Sequence, residues 1–305
     1  MRVFVTGGTG AIGCHAVSAL IGAGHSVTAL ARNAQKAATL ERQGATPVEV
    51  SIFDTASLAK QFAGHDAVVN LATALPATAD FRKLSAWEEN IRIRTEGSAA
   101  IVDAAIESGV PRVIQESVCM IYRDHGSDWI DENWPTDDFP MAQSNLAAEA
   151  SVNRFSDSGG TGIILRFGWF YGLGAKHSEE FLALAQKWGV CIMMGTEGTY
   201  LSSIHVADGG LAVVSALSAS AGVYNVVDDL PLTKREYADA LAVAAGRKYY
   251  VRAPGRLAEA LGNSTTSLTR SLRVTNAAFK SATGWTPAYP SAREGWTAMA
   301  TQSRL

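Results

Sequence analysis

The chain has 305 residues, 47% of them apolar, and a formal net charge of -3. This nearly neutral balance predicts no nucleic-acid partner and no anionic-membrane partner, because both select strongly basic proteins. The three cysteines, Cys14, Cys119 and Cys191, lie far apart and lack metal-ligand spacing. We therefore expect free thiols, no bound metal and a cytoplasmic location. No apolar run is long enough to cross a bilayer, and the first residues do not resemble a signal peptide.

A glycine-rich turn follows directly after the first predicted strand. The apolar run Val3–Val5 leads into Thr-Gly-Gly-Thr-Gly-Ala-Ile-Gly at residues 6–13, and an amphipathic helical pattern comes next. Strand, glycine turn and helix together predict a dinucleotide site. Gly7 would permit the tight turn, Gly10 the close approach of the pyrophosphate and Gly13 the packing of helix on strand, with the phosphates on the helix N-terminus. The candidate contacts in this turn are Gly7, Thr9, Gly10, Ala11, Ile12 and Gly13.

The end of the second predicted strand indicates which dinucleotide is bound. A site selective for NAD places an acidic residue there to hold the ribose 2′-hydroxyl, but this chain has no Asp or Glu before Glu41. The strand at residues 26–31 runs instead into Arg32, and Lys36 follows one helical turn later. A guanidinium pairs with a 2′-phosphate through two hydrogen bonds. We therefore predict NADP(H) in preference to NAD(H), although both cations could simply belong to a solvated helix start.

Strand and helix patterns alternate through the rest of the first half. Strands are predicted at 47–52, 67–72, 112–116 and 162–166, and helices at 55–62 (capped by Asp54), 84–108 and 143–156. Repeated units of this kind predict an α/β fold: a Rossmann-type, doubly wound parallel sheet that binds ligands at the carboxyl ends of its strands.

The second half is less regular and predicts a smaller, interleaved C-terminal lobe. Its helical patterns lie at 179–188, 206–218, 234–245 and 276–282. We expect an NADP-binding domain at 1–168 with about 200–222, and a substrate lobe at 169–199 and 223–305.

Five segments spread over nearly the whole chain resemble the extended or atypical short-chain dehydrogenase/reductase superfamily, in its epimerase/dehydratase branch. They are Thr6–Gly13, Asp66–Ala72, Leu165–Gly172, Ile204–Asp208 and Gly284–Pro290. The resemblance implies a nicotinamide cofactor and a homodimer paired through the helices at 84–108 and 143–156. It also implies further cofactor contacts at Ser51, Ile52, Leu71, Ala72, Thr73 and Gly168.

The proton-transfer residues usual in this superfamily have no counterpart in the sequence. Its members carry a Tyr with a Lys four residues later, but none of the eight tyrosines here has that partner. Alignment puts Met141 at the Tyr position and Asn145 at the Lys position. A thioether cannot act as a general acid, and an amide carries no positive charge. The usual serine position falls on Val118, with Ser117 one residue early.

Tyr122, just after the fifth strand, is the candidate replacement acid, assisted by Ser117 or Arg123; an ordinary structural aromatic is the alternative. Lys176 and His177 could border the substrate, as could Tyr171, although Tyr171 also fits a structural turn. Trp129, Trp134 and Trp169 could line the cleft, with core packing as the alternative. Leu201 stands where nucleotide-sugar enzymes carry an Arg, which disfavours a nucleotide-sugar substrate.

Three functions remain open from the sequence. The first is an NADP(H)-dependent oxidoreductase acting on a carbonyl or alcohol of a small organic molecule. The second is an epimerase, dehydratase or cyclase that retains its cofactor without net redox change. The third is a non-catalytic NAD(P) sensor that binds a partner protein.

Overall fold

The structure is a computed structural model that describes residues 1–81, 83–191, 193, 195–248, 250–252 and 266–303. The strands are β1 (Arg2–Thr6), β2 (Ser26–Leu30), β3 (Thr46–Val48), β4 (Ala67–Asn70), β5 (Arg112–Val118), β6 (Trp129–Ile130), β7 (Thr161–Phe167), β8 (Trp169–Tyr171), β9 (Val190–Cys191), β10 (Tyr200–Leu201), β11 (Ser203–His205), β12 (Gly222–Val226), β13 (Leu232–Thr233), β14 (Val251–Arg252) and β15 (Arg273–Val274).

The helices are α1 (Gly13–Gly22), α2 (Ala34–Gln43), α3 (Thr55–Phe62), α4 (Glu88–Arg92), α5 (Ser98–Ser108), α6 (Pro140–Asp157), α7 (Lys176–Trp188), α8 (Val206–Ala216), α9 (Lys234–Ala244), α10 (Thr266–Thr269), α11 (Ala277–Thr283) and α12 (Ala292–Gln302). In the described part of the chain, no helix is long and apolar enough to cross a membrane.

A seven-stranded parallel sheet forms the centre of the molecule, in the order β12-β7-β5-β4-β1-β2-β3. The chain starts at β1, winds outward through β2 and β3, and then crosses back to β4 and the strands beyond it. This order confirms the predicted doubly wound sheet and puts the switch of direction between β1 and β4, where such sheets bind ligands.

Successive residues of β1 face opposite sides of the sheet, and both sides are buried. Val3 and Val5 pack with α1 and α8 residues such as Leu20, whereas Phe4 packs with Phe62 and the α5 side. A parallel sheet covered on both faces needs this continuous apolar character.

The smaller lobe has its own hydrophobic cluster, centred on Tyr171, Tyr237 and Trp296 between α7, α9 and α12. Its boundary differs from the expected one: β12 pairs with β7 in the main sheet, so residues 222–226 belong to the first lobe. The segment Phe279–Trp285 also packs into the core of that lobe.

The long predicted helix at 84–108 is helical throughout but not uniform. A 3₁₀ turn at Leu84–Trp87 leads into α4, and a π-helical turn at Ile93–Gly97 separates α4 from α5. At this turn Arg94 Nη2 donates to both carboxylate oxygens of buried Glu116, at 2.8 and 3.1 Å. Inserted π turns of this kind are often found next to functional sites.

Candidate cofactor site and the opposite end of the crevice

The glycine turn has the geometry that its sequence predicts. Gly7 has a φ of +70°, a left-handed conformation that favours glycine, and a Cβ there would collide with the Leu71 carbonyl. A Cβ on Gly13 would collide with the Gly7 carbonyl, so the start of α1 lies directly on the turn. Gly10 N donates to Gly7 O at 2.8 Å. The N-cap residue Ile12 offers no side-chain acceptor to α1, so the helix start suits an anion.

A cavity of about 460 Å³ opens beside this turn, at the carboxyl ends of β1, β2 and β4. Most of the predicted cofactor contacts line it, namely Gly7, Thr9, Gly10, Arg32, Lys36, Ser51, Ile52, Leu71, Ala72 and Thr73. The predicted contacts Ala11, Ile12, Gly13 and Gly168 are not among its lining residues. Sequence reasoning missed several others, including Glu49, Phe53, Glu89 and Ile93.

The cavity is also lined by residues that the sequence predicts to lie within the third strand. β3 ends at Val48 instead of Ile52, so Glu49–Phe53 is free to line the cavity. Asp54 caps α3 as predicted, because its Oδ1 accepts from Ser57 N at 3.1 Å.

Two cations, Arg32 and Lys36, line this cavity, and a third, Lys176, lies near Lys36. Lys36 Nζ donates to Thr9 Oγ1 at 2.9 Å and thereby connects α2 to the glycine turn. Burial, together with the nearby charges of Arg32 and Lys176, lowers the pKa of Lys36. Among the described residues, neither Arg32 nor Lys176 forms an ion pair with a carboxylate. Although Glu49 and Glu89 also line the cavity, like charges held together without an ion pair among the described residues favour a bound anion.

Lys176 comes close to Lys36 because the second lobe docks on the glycine turn. The Leu173 carbonyl lies 3.3 Å from His15 Nε2 on α1, and a Cβ on Gly174 would lie 3.9 Å from the Ala11 carbonyl. Lys176 then opens α7. The sequence suggested Lys176 only as a neighbour of the substrate, because nothing in a linear pattern brings residue 176 next to residue 36.

A buried asparagine holds the cavity wall that follows β4. Asn70 Oδ1 accepts from Thr6 Oγ1 at 2.5 Å and from Ala72 N at 3.2 Å. Its Nδ2 donates to Gln115 Oε1 at 2.8 Å. These bonds join the carboxyl ends of β1, β4 and β5, so the loop at Leu71–Thr73 is fixed at the switch of strand order.

Gly168 has a packing role that the cofactor prediction did not include. A Cβ at Gly168 would lie 2.8 Å from the Ser202 carbonyl and within about 3.0 Å of Ser203, where the segment between β7 and β8 passes β11. The protein's own packing therefore accounts for glycine at this position, and a cofactor contact at Gly168 stays a prediction.

Near the carboxyl ends of β5, β7 and β12 lies a buried polar cluster, here called the Arg166 network: Ser117, Tyr122, Glu149, Arg166 and Asn225. Arg166 Nε and Nη2 donate to the Glu149 carboxylate at 2.9 and 2.6 Å, and Ser117 Oγ donates to Glu149 Oε1 at 2.6 Å. Arg166 Nη1 donates to Tyr122 Oη at 2.9 Å, and Tyr122 Oη donates to Asn225 Oδ1 at 2.8 Å. All five residues are buried.

The Arg166 network corrects the prediction that Tyr122 and Ser117 are catalytic. Both side chains have 0% exposure, and both hydroxyls already donate their protons to network partners. Burial, only partly offset by Arg166, raises the pKa of Tyr122 well above its ordinary value. A phenol with no access to a ligand cannot protonate one, so the structural alternative holds for both residues.

The other candidates have mixed placements. Tyr171 has 0% exposure and donates to the Ser291 carbonyl at 3.2 Å, which makes it part of the second core. His177 Nε2 lies 2.7 Å from the Phe170 carbonyl, and its ring packs edge-on against half-buried Trp169, with centroids 4.9 Å apart. Burial lowers the pKa of His177 and so favours its neutral, uncharged ring.

Trp129 and Trp134 lie in the segment that follows Tyr122. The Trp129 ring is stacked by the Arg273 guanidinium at 4.3 Å, and Trp134 packs against His125 with centroids 3.5 Å apart. Asp124 accepts from Ser271 N at 2.7 Å. These contacts join the segment to residues 271–274, which gives both tryptophans a structural role.

Residues 7–186 match the family model described as NAD(P)H-binding. The chain belongs to this family. A reductase from a Streptomyces species, named 3-diazoavenalumate denitrifying reductase, is 30% identical over 97% of this chain and 99% of its own length. A ketoreductase of a farnesylated dihydroquinoline oxide from Stigmatella aurantiaca is 26% identical over 89% of this chain and 82% of its own length. Relatives named as reductases agree with the expectation of an enzyme.

Solved structures confirm the fold. UDP-glucose 4-epimerase from Thermus thermophilus, in complex with NAD, matches with a TM-score of 0.79 and 23% identity over 100% of this chain and 99% of its own. The human epimerase family protein SDR39U1, in complex with NADPH, matches with a TM-score of 0.80 and 23% identity over 99% of each chain. The predicted resemblance to the epimerase/dehydratase branch is thereby confirmed at the level of fold.

Proposed function

We propose that this protein is an NADPH-dependent reductase of a small organic molecule. The observation that carries the proposal is the set of cations around the glycine turn: Arg32 and Lys36 line a cavity at the position of a dinucleotide site, and the charge of Lys176 acts on Lys36. Three positive charges without a carboxylate at the end of β2 suit a 2′-phosphate better than a 2′-hydroxyl.

The residues present fit this cofactor. The α1 start would receive the pyrophosphate, Arg32 and Lys36 the 2′-phosphate, and Ser51, Ile52 and Phe53 would lie around the adenine. When bound, NADPH supplies a hydride. The chain would hold the cofactor at the switch between β1 and β4, with its reactive end toward the carboxyl ends of β4 and β5.

The substrate class is inferred from the hydroxyl donors that the described residues place at this end of the crevice. The chain contains no Tyr-x-x-x-Lys pair, and the hydroxyls of Ser117 and Tyr122 are sealed inside the Arg166 network. Reduction of a carbonyl consumes a hydride and a proton. NADPH would supply the hydride, and a Tyr-Lys pair would deliver the proton. Reduction of an aryl diazonium group needs only the hydride. The hydride would bond to the terminal nitrogen and give an aryldiazene, Ar–N=N–H. Loss of N₂ from the diazene then leaves its hydrogen on the aryl carbon.

We therefore propose an aromatic diazo compound as the substrate class, in keeping with the Streptomyces relative named as a denitrifying reductase. A ketone is the second candidate, favoured by the relative named as a ketoreductase. Leu201 lies in the core of the second lobe, so it offers no charge to a nucleotide sugar. The homodimer and the cytoplasmic location stay predictions.

Anaerobic turnover with NADPH tests the proposal. We expect an ortho-hydroxy arenediazonium to be converted to the arene with one N₂ released per NADPH oxidised, and NADH to work less well. Aryl ketones at the same concentration serve as the comparison. If NADPH is oxidised with the ketones but not with the arenediazonium, the substrate class would be a ketone instead of a diazo compound. If NADPH binds tightly but is consumed with neither the arenediazonium nor the ketones, two functions would stay open: an enzyme that retains its cofactor without net redox change, and a non-catalytic sensor.

A further inference from the structure

Asp228 places a buried carboxyl group at the junction of the two lobes. It comes two residues after β12, the edge strand of the main sheet, and it is 2% exposed. Its main-chain N–H donates to the Ser203 carbonyl at 2.7 Å, and its Oδ2 accepts from Ser203 Oγ at 2.8 Å. Its Oδ1 has no hydrogen-bond partner among the described residues. A buried polar atom of this kind calls for an explanation.

The second lobe presents two phenols to this carboxyl group. Tyr171, at the end of β8, and Tyr237, on α9, are both buried in the hydrophobic cluster of that lobe. Burial is the main cause of the raised pKa of each phenol, and the nearby charge of Asp228 raises both further. Neither side chain carries a positive charge, so they offer no counter-charge to a carboxylate.

The groups on the other side of the junction do not supply a cation either. Burial lowers the pKa of His205, at the end of β11, to about 4, so its ring stays neutral. Asp208 on α8 is a second buried carboxyl group, and it accepts from the main-chain N–H groups of Ala288 and Tyr289 at 2.9 and 3.0 Å. Burial raises the pKa of Asp208, but these two donors favour its charged form. That charge opposes the ionisation of Asp228.

The cation beside the next residue is already paired. Lys280 Nζ lies 2.9 Å from Asp229 Oδ1, and no Lys or Arg in the described part of the chain forms an ion pair with Asp228. An ionised Asp228 would be a buried carboxylate near a second carboxylate, with one oxygen unpaired, whereas a protonated Asp228 avoids both costs. Burial, together with the charge of Asp208, accordingly raises the pKa of Asp228 well above its ordinary value.

We propose that Asp228 is a pH-sensitive lock between the two lobes: its neutral form lets them pack together, and its ionisation as the pH rises loosens the second lobe. Separation of the lobes would expose the carboxyl group to water, where an Asp loses its proton above about pH 3.9. A group whose pKa is raised in the folded protein stabilises it most at low pH, and this contribution is lost as the pH rises toward the folded pKa. The lock needs no cofactor, so it is independent of the proposed function.

Hydrogen exchange of backbone amides, measured between about pH 5 and about pH 9, tests the lock. In the wild type, the protection factors of α9 and α12 should fall about tenfold per pH unit until the folded pKa is reached, because the open state binds one proton fewer. In Asp228→Asn, whose amide cannot ionise, they should lose this dependence and exceed the wild-type values at the upper end of the range. The amides of β1 should be better protected than those of α9 and α12, because the second lobe opens before the main sheet.

Asp103→Asn is the matched control, since it removes an exposed carboxylate that pairs with Arg154 away from the junction. Its protection factors should follow those of the wild type at every pH. If Asp228→Asn does not fold, Asp228→Ala is measured in the same way, with the same expected loss of pH dependence.

Three results would overturn the lock. An equal fall in the wild type and in Asp228→Asn would assign the proton to another group, such as Asp208. Protection factors in the wild type that do not change with pH would mean that Asp228 is already ionised in the folded protein. Equal protection of α9, α12 and β1 at every pH would mean that the lobes separate only when the whole protein unfolds.

Discussion

The two ends of the crevice differ in whether their cationic side chains are paired with carboxylates. At the glycine turn, Arg32 is exposed, Lys36 is half-buried, and the two cations repel each other with no ion pair to a carboxylate among the described residues. At the ends of β5 and β7, Arg166 is buried, and its guanidinium is bonded to both Glu149 and Tyr122. The first arrangement would gain from a bound anion, whereas in the second the charges of Arg166 and Glu149 are already paired with each other.

This difference explains why the polar residues that look most catalytic are not available for catalysis. A buried charge must be paired and hydrogen-bonded, or it destabilises the protein. Ser117 and Tyr122 form hydrogen bonds with Glu149 and Arg166, so their hydroxyls already have partners within the protein. Binding at the other end depends on backbone N–H groups and long cationic side chains, which remain free to meet a ligand.

The largest expected effect tests the structural role of the Arg166 network. Arg166→Met leaves the Glu149 carboxylate buried without its cation, and we expect the free energy of unfolding to fall by about 3–5 kcal/mol. Urea unfolding followed by circular dichroism measures the loss. Arg154→Met is the matched control, because it breaks only the exposed pair with Asp103 and should cost about 0–1 kcal/mol.

If Arg166→Met and Arg154→Met lower the free energy of unfolding by similar amounts, the proposed contrast between the ends of the crevice is wrong. The double variant Arg166→Met/Glu149→Met sharpens it further. Because an apolar pair needs no compensation, we expect the double variant to be more stable than Arg166→Met alone.

The next effect concerns the exposed cations. Arg32→Ala should weaken NADPH binding about 10- to 100-fold, the range of a charge-assisted hydrogen bond to phosphate, and change NADH binding little. Calorimetric titration with each cofactor measures the difference. Arg42→Ala provides the control, since Arg42 lies at the far end of α2 and bonds only within that helix. Losing NADPH and NADH affinity to the same extent would show that Arg32 does not bind the 2′-phosphate.

The smallest effect is expected from the residue that the sequence suggested as the acid. Tyr122→Phe removes one hydroxyl from the Arg166 network, and we expect about 1 kcal/mol of lost stability with turnover within about twofold of the wild type. Steady-state kinetics and thermal unfolding measured on the same preparation test both expectations. Tyr224→Phe, whose hydroxyl bonds the Ser220 carbonyl near the surface, is the control. Abolished turnover with unchanged stability would restore Tyr122 as the proton donor.

Local patterns in the sequence determined the sheet, the glycine turn and the character of the cofactor site. The turn depends on neighbouring residues, since Gly7, Gly10 and Gly13 contact one another within a few positions. Strand and helix periodicity likewise depend on short spacings. Arg32 could be predicted because it directly follows a strand whose partner is β1.

Only the tertiary structure decided which polar groups are free. Tyr122 is sealed by Arg166, 44 residues away, and by Asn225, 103 residues away. Lys176 joins the cations because the loop before α7 docks on α1, with 158 residues between Leu173 and His15. Burial and hydrogen-bond partners depend on which distant segments pack together, and no local pattern of residues encodes that packing.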